Sequence, residues 1–306
     1  MDCFGVDVTG EPAPWGVPDW PVSVLGPGQD GSVGGIQALA IEGTELSPLQ
    51  DRGRTVGTVF ETGTARCCLL GSLIGDLSST PADQAEQVFA SMARVLETAG
   101  LRLEDLTRTW LYLDRILDWY DDLNRVRTRF FQSNRVFEGL VPASTGIGVD
   151  NGAGAAILAG GVAMRSLPDS SLTVQPVTSP LQCPALEYGS SFSRAVEVEA
   201  AGVHRLFVSG TASIAADGAT AHVEDLEGQV SLTMQVVREI LRSRDMDWRD
   251  VTRAIVYIKA TAGRTVFEDF CREQELPPLP AVVLVSDVCR DDLLFEIEVD
   301  ACRRTA

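Results

Sequence analysis

Two rhythms of apolar residues succeed one another along this chain, and the whole succession is met twice. Between residues 55 and 76, alternation (VGTVFETG) passes into an apolar run (RCCLLGSLIGD), which predicts paired strands. A helical period follows, with Val88, Met92, Val95 and Leu96 on one face. It predicts a helix from about Pro81 to Ala99, with Thr80 as N-cap, Pro81 at the first helical position and Gly100 as the stop. A strand Thr107–Leu113 comes next, then a second helix in LDWYDDLNRVRTRFF, then two closing strands in PASTGIGV and GAAILAGGVAMR. From residue 195 the order returns. Strands Ala195–Glu199 and Arg205–Ile214 precede a helix Glu224–Arg242 whose apolar face carries Val230, Met234, Val237 and Leu241. A strand Thr252–Ile258, a helix Thr265–Glu273 and strands Ala281–Ser286 and Leu293–Ala301 complete it.

The repetition reaches individual residues. LEDLTRTWLYL at 103–113 and WRDVTRAIVYI at 248–258 place Asp105, Thr107, Arg108 and Tyr112 at a constant offset of 145 from Asp250, Thr252, Arg253 and Tyr257. A long fixed period means two tandem copies of one supersecondary plan. Each copy reads ββαβαββ, and helices laid on one face of hairpin-built sheets make the fold class α+β. Residues 1–45, rich in Gly and Pro, read as an irregular N-terminal arm; the modules then span 46–170 and 171–306, with RSLPDSSLTVQPVTSP at about 165–180 as the linker.

Composition narrows the function classes. The 306 residues suffice for two cores, and an apolar fraction of 45% with 22% charged residues is ordinary for a globular enzyme. A formal charge of −18 opposes a nucleic-acid partner, whose binding needs clustered cations, so an anion site requires locally concentrated arginines. The apolar run 155–163 is broken by Gly160 and Gly161 and too short to span a bilayer, and the N-terminus has no signal-peptide pattern; no membrane association and a cytoplasmic location are expected. Seven cysteines without a CxxC pair, and only two histidines, His204 and His222, leave no metal site or cofactor in the expectation. Both histidines read as structural, at a strand entrance and in a loop.

Ser193-Arg194-Ala195, FVSGTASI at 207–214, the helix-strand repeat, Pro280-Ala281 and FEIEVDA at 295–301 resemble the RidA (YjgF) superfamily, whose chorismate-mutase-like units often form trimers. The match covers roughly residues 50–165 and 190–305. In that superfamily's deaminases a helix Asn, an Arg after Pro-Ala and a Glu opening the EIE strand act together. Here Asn124 holds the helix position, but Pro-Ala continues as Ser144 in one copy and Val282 in the other, and only the second copy keeps the acid, Glu296. Imine deamination and a non-catalytic binding role are therefore the weaker implications. The tandem layout with NRVRTRFF, VPASTGIG, YGSSFSRA, SGTASI and DVCRDDLLFEIE is similar to the chorismatases, a branch that cleaves pyruvate from chorismate without a cofactor. The resemblance implies a lyase or hydrolase of secondary metabolism, monomeric or homotrimeric, taking a small anionic substrate.

The residues supply matching chemistry. In LLFEIEVDA the strand period puts Phe295, Ile297 and Val299 on one face and Glu296 and Glu298 on the other. A carboxyl buried there would keep its proton and serve as general acid, and Glu296 is the expected one. Cys289, seven residues earlier, can reach the same pocket mouth; in the resemblance a cysteine here goes with 3-hydroxybenzoate, and a small apolar residue with hydrolysis to a dihydrodiol. For the carboxylates, Arg125 and Arg129 share a helix face at i, i+4, and planar guanidinium suits a carboxylate. Tyr188, Arg194, Ser209, Gly210, Thr211, Ser144 and Thr145 are expected to line the cleft, mainly on the resemblance.

Overall fold

A computed structural model describes residues 1–4, 20–26 and 35–304. The first module opens with β4 (Ser47–Asp51), β5 (Arg54–Glu61) and β6 (Ala65–Ile74), which follow three short strands of the arm, β1 (Asp2–Phe4), β2 (Ser23–Leu25) and β3 (Gly35–Gln37). It continues through α1 (Pro81–Thr98), β7 (Leu106–Leu113), α2 (Ile116–Ser133), β8 (Ala143–Ile147) and β9 (Ile157–Ser166). The second module is β10 (Leu172–Val177), β11 (Ala195–Ala200), β12 (Val203–Ala212), α3 (Leu226–Arg242), β13 (Val251–Ile258), α4 (Ala262–Glu273), β14 (Ala281–Val285) and β15 (Phe295–Arg304). Each module is thus a six-stranded sheet, ordered β4-β5-β6-β9-β7-β8 and β10-β11-β12-β15-β13-β14. The last pair of each sheet is parallel and the other neighbours antiparallel.

The expected α+β plan is present, with an added edge strand in each copy. The segment expected as linker contains β10, and β4 likewise precedes the expected hairpin. Pro176 and Pro48 obscure both in the sequence; at a sheet edge a proline removes no ladder hydrogen bond that a neighbour needs. The arm is also less irregular than its composition suggests. Its strands form a small sheet ordered β2-β1-β3, and Phe4 and Leu25 are fully buried with Tyr112, Ile147 and Tyr257. For residues 5–19 and 27–34 the irregular-arm reading lies outside the described residues.

Local chemistry sets the element ends. Thr80 Oγ1 accepts from the Asp83 amide at the start of α1, and Asp225 does the same for Gly228 at the start of α3. The repeated Asp105 and Asp250 carboxylates accept from the amides of Arg102 and Asp247, closing a one-turn helix that feeds β7 and β13. The periodic faces of α1 and α3 cover the outer faces of their sheets: Val88, Met92, Val95 and Leu96 lie in one core, Val230, Met234, Val237 and Leu241 in the other. The inner sheet faces meet each other through Tyr112, Ile147, Leu158, Ala212, Ile255 and Tyr257.

Equivalent register shifts interrupt the two sheets, between Leu70 and Leu73 in β6 and between Val208 and Thr211 in β12. Such bulges re-aim the strand locally. The β6 bulge is closed by the arm, where Ser72 Oγ donates to Val22 O and Pro21 faces Gly71. The β12 bulge, at Ser209–Gly210, instead meets β8 of the first module, and this seam holds the candidate site.

Candidate active site

Strand β8 crosses from one module to the other. Ala143 bridges to Ser193, whose hydroxyl donates to Val141 O at 2.7 Å; the Ser144 amide donates to Ser209 Oγ at 2.9 Å; and the Gly210 amide donates to Thr145 Oγ1 at 3.0 Å. Ser209 Oγ donates to Ser193 O at 2.6 Å, and Thr211 Oγ1 donates to Ser209 O at 2.8 Å. Ser144 Oγ accepts from Thr109 Oγ1 at 2.9 Å. Thr145 Oγ1 accepts a second hydrogen bond from Arg108 Nη2 at 2.6 Å and lies beside Glu298, helping to lower its pKa. A hydroxyl has one donor and two acceptor positions, so both acceptor positions of Thr145 are filled by protein. The expected cleft hydroxyls are therefore gathered at one seam, but they stitch the modules together there.

Above this stitching lie the two glutamates of β15. Phe295, Ile297 and Val299 are buried in the helix-side core, and Glu296 and Glu298 point to the seam, 4% and 0% exposed. Their environments differ. Glu298 receives Arg108 Nη2 at 2.8 Å, Arg253 Nη1 at 2.7 Å and Trp110 Nε1 at 2.9 Å, and both guanidiniums lie 4.9 Å from the Trp110 ring. Burial alone would raise the Glu298 pKa; the two arginines outweigh it and hold the group below its ordinary value. The arginines repeated 145 residues apart in the sequence thus converge on a single carboxylate. Glu296 makes no hydrogen bond to any described residue. Burial, reinforced by the Glu298 charge and opposed by Arg108 and Arg194, pushes it up to about 8. Gly210 lies directly beneath: a Cβ there would fall 2.0 Å from Glu296 Oε1.

Cys289 sits in the loop joining β14 to β15, tied to β8 by the Gly148–Asp287 bridge. Burial and the neighbouring Glu296 push the thiol up to about 12, so at neutral pH it is a thiol and not a thiolate. The segment 188–194 lies beside the seam, where Ser193 bridges to Ala143. Arg194 is buried, donating from Nε and Nη2 to Cys183 O at 3.0 and 2.9 Å, and the Tyr188 ring stands between it, at 5.3 Å, and Arg290, at 5.6 Å.

The arginine-bearing helix departs from expectation. Arg125 and Arg129 do share a face, but it is the outer one: their side chains are 77% and 64% exposed and pair with Asp122 and Glu86. The inward arginine is Arg127, 3% exposed, with Nη2 donating to Asn124 Oδ1 at 2.7 Å, its guanidinium 5.9 Å from the Phe192 ring, and Nε without a partner. The signal was present in the sequence, because Arg127 stands four residues after the apolar Leu123, which is fully buried. Tyr120, beside Arg127 and Cys289, was likewise not singled out. His204 pairs with Glu197 and Glu199 within the second sheet, and His222 lies beside Asp225, both in positions matching their structural reading. Among the described residues no group of three His, Cys, Asp or Glu is placed to hold a metal ion, and no helix is long and apolar enough to cross a membrane.

The arrangement brings a protonated carboxyl, a neutral thiol and buried cations together at the seam between the modules. Residues 184–303 match the family described as Endoribonuclease L-PSP, the RidA-like domain. The chain is 29% identical over 237 residues to a 3-hydroxybenzoate synthase of Streptomyces hygroscopicus, covering 69% of this chain and 66% of that protein. It is 27% identical over 232 residues to a chorismatase of Streptomyces rapamycinicus, covering 69% and 67%. The matched segment thus spans about two thirds of the length of these relatives. A chorismatase crystal structure superposes with a TM-score of 0.67 at 22% identity, over 84% of this chain and 79% of that one, which shows a shared fold of tandem RidA-like modules.

Proposed function

We propose that this chain is a chorismatase that converts chorismate to 3-hydroxybenzoate and pyruvate. The observation that carries the reading is Glu296: a carboxyl near the floor of the seam whose pKa of about 8 keeps it protonated at neutral pH, next to a second carboxylate that stays ionised. An enolpyruvyl ether is cleaved once its methylene carbon gains a proton, and a general acid works best with a pKa near the operating pH. Glu296 donates that proton, forming an oxocarbenium-like centre; the ring carbon–oxygen bond then breaks with its electrons moving to the carbonyl of the departing pyruvate, and the ring cation left behind loses a proton as it becomes aromatic. Together the two products contain all the atoms of chorismate, so this route takes up no water, whereas the dihydrodiol route takes up one.

Chorismate carries two carboxylates, and the cleft holds two buried guanidiniums with spare donors. Arg127 and Arg194 receive one carboxylate each, with Tyr188 as the apolar wall between Arg194 and Arg290. This replaces Arg125 and Arg129 in the binding role. Cys289, as an uncharged thiol, assists the ring rearrangement toward the aromatic product. The surrounding seam needs no metal or nucleotide for these steps, the substrate is a small anion, and a cytoplasmic location goes with the reading.

Incubation with chorismate after exhaustive chelation, followed by chromatography and a pyruvate assay, tests it. Equal amounts of pyruvate and 3-hydroxybenzoate are expected. Unconsumed chorismate would overturn the reading, and a dihydrodiol as main product would move the chain to the hydrolytic type.

A further inference from the structure

Each module sets a strand between a parallel and an antiparallel neighbour, in the orders β8-β7-β9 and β14-β13-β15. The arm does the same. Strand β1 runs parallel to β2 and antiparallel to β3, in the order β2-β1-β3, so chain order and strand sense occur a third time. The register extends the equivalence to single residues. Tyr112 pairs with Ile147 and Leu158, Tyr257 with Leu284 and Glu296, and Phe4 with Leu25 and Gly35. Phe4, Tyr112 and Tyr257 are buried in one apolar cluster with Leu25, Ile147 and Leu158.

The contacts between the three units are equivalent too, and they run head to tail. Gly148, just after β8, donates its amide to Asp287 O beyond β14 at 2.8 Å; Gly26, just after β2, donates to Asp150 O beyond β8 at 2.9 Å. Strand β8 meets the β12 bulge through Ser144 and Ser209, and the residues leading into β2 meet the equivalent β6 bulge, with Val22 O accepting from Ser72 and Pro21 against Gly71. The second module then returns to the arm. Val282 of β14 faces Gly35 of β3, and Gln37 Nε2 donates to Ala254 O at 2.8 Å. A head-to-tail contact closes into a ring or continues into further copies. Here it closes after three units of one chain.

We infer that the arm is a reduced third module that completes a ring within one chain, covering the faces at β14 and the β6 bulge where a second copy would otherwise add, so that the protein is a monomer. The inference goes beyond the chorismatase reading and does not depend on it. The same equivalence gives the ring a single acid, since the position of Glu296 is taken by Leu158 in the first module and by Gly35 in the arm.

A Cβ on Gly35 would lie 3.6 Å from Val282 Cβ, within the span of about 3.5–4.5 Å that a disulfide bridges. The full-length double variant Gly35→Cys/Val282→Cys is oxidised and compared with wild type by light scattering after gel filtration, non-reducing electrophoresis and peptide mapping. Wild type is expected at the mass of one chain, and the variant is expected to join positions 35 and 282 within one chain at unchanged mass. A wild-type dimer or trimer overturns the inference. A bridge joining two chains does so as well, because it gives the arm to a second copy, and so does failure of the pair to oxidise. In Gly35→Trp the new Cβ falls 2.9 Å from Val282 Cγ1, so the indole must lift β3 off β14. Its mass is expected to rise above that of one chain with concentration, while Cys3, fully buried when the arm is seated, becomes open to alkylation. Alkylated Cys3 at the mass of one chain at every concentration overturns the covering role of the arm.

Discussion

Glu296 and Glu298 are two residues apart on one strand and face the same way, yet their proton affinities are driven in opposite directions. Glu298 is surrounded by two guanidiniums and an indole N–H, which compensate its charge so fully that it ionises more readily than an ordinary carboxyl. Glu296 gets no such compensation and lies beside that ionised neighbour. Two carboxyls with pKa values pushed apart divide into one fixed charge and one proton donor. Glu296, the proposed donor, occupies space that a side chain at position 210 would need. Any Cβ there would strike Glu296 Oε1 and crowd Thr145 Cγ2 at 3.1 Å, so Gly210→Ala must displace the acid without removing it. A misplacement on the order of 1 Å costs about 100-fold in rate. Gly210→Ala should lose that factor in kcat for pyruvate release while retaining its fold by circular dichroism; a wild-type kcat would show that Glu296 is not held by this contact. The strand period made the shared face of Glu296 and Glu298 legible in the sequence. The charge division was not, because it depends on Arg108 and Trp110, which arrive from the other module.

At the scale of elements, α2 shows how a helix face is misjudged. Spacing correctly joins Arg125 to Arg129, and leaves open whether their face looks inward or outward. The buried residues Ile116, Trp119, Leu123 and Val126 define the inner stripe, and Arg127 belongs to it. If Arg127 holds a substrate carboxylate, Arg127→Ala should cost about 1.5–3 kcal/mol in kcat/KM, the worth of a charge-assisted contact. Arg125→Ala and Arg129→Ala, on a solvated face, should stay near wild-type efficiency. Steady-state kinetics on the three variants decide this; equal losses in all three would return the substrate to the outer face. The edge strands β4 and β10 were hidden for a different reason, since Pro48 and Pro176 read as breakers and are tolerated only because those strands end their sheets.

Over the whole molecule, duplication is the feature most legible from sequence, and divergence between the copies is what creates the site. The repeated Arg108 and Arg253 occupy equivalent positions in the two sheets, but Glu298 has no counterpart in the first module: Trp110, two residues beyond Arg108, is paired with Gly160. Both arginines therefore meet at one buried carboxylate, and removing either partner of such a pair costs about 3–5 kcal/mol. This junction fixes the two modules across the seam and supplies the standing negative charge beside Glu296. The convergence could not be read from the repeat alone, which gives equivalence of position without the axis relating the copies.

The most direct measurement is the pH dependence of pyruvate release from chorismate, in wild type and in Glu296→Gln. Burial raises the Glu296 pKa to about 8, so the acid is loaded below that pH and unloads above it. Wild-type kcat should be level through neutral pH and fall tenfold per unit once pH exceeds about 8, and Glu296→Gln, which has no proton to give, should release no pyruvate at any pH. Pyruvate release by Glu296→Gln at the wild-type rate would contradict the assignment of Glu296 as the acid.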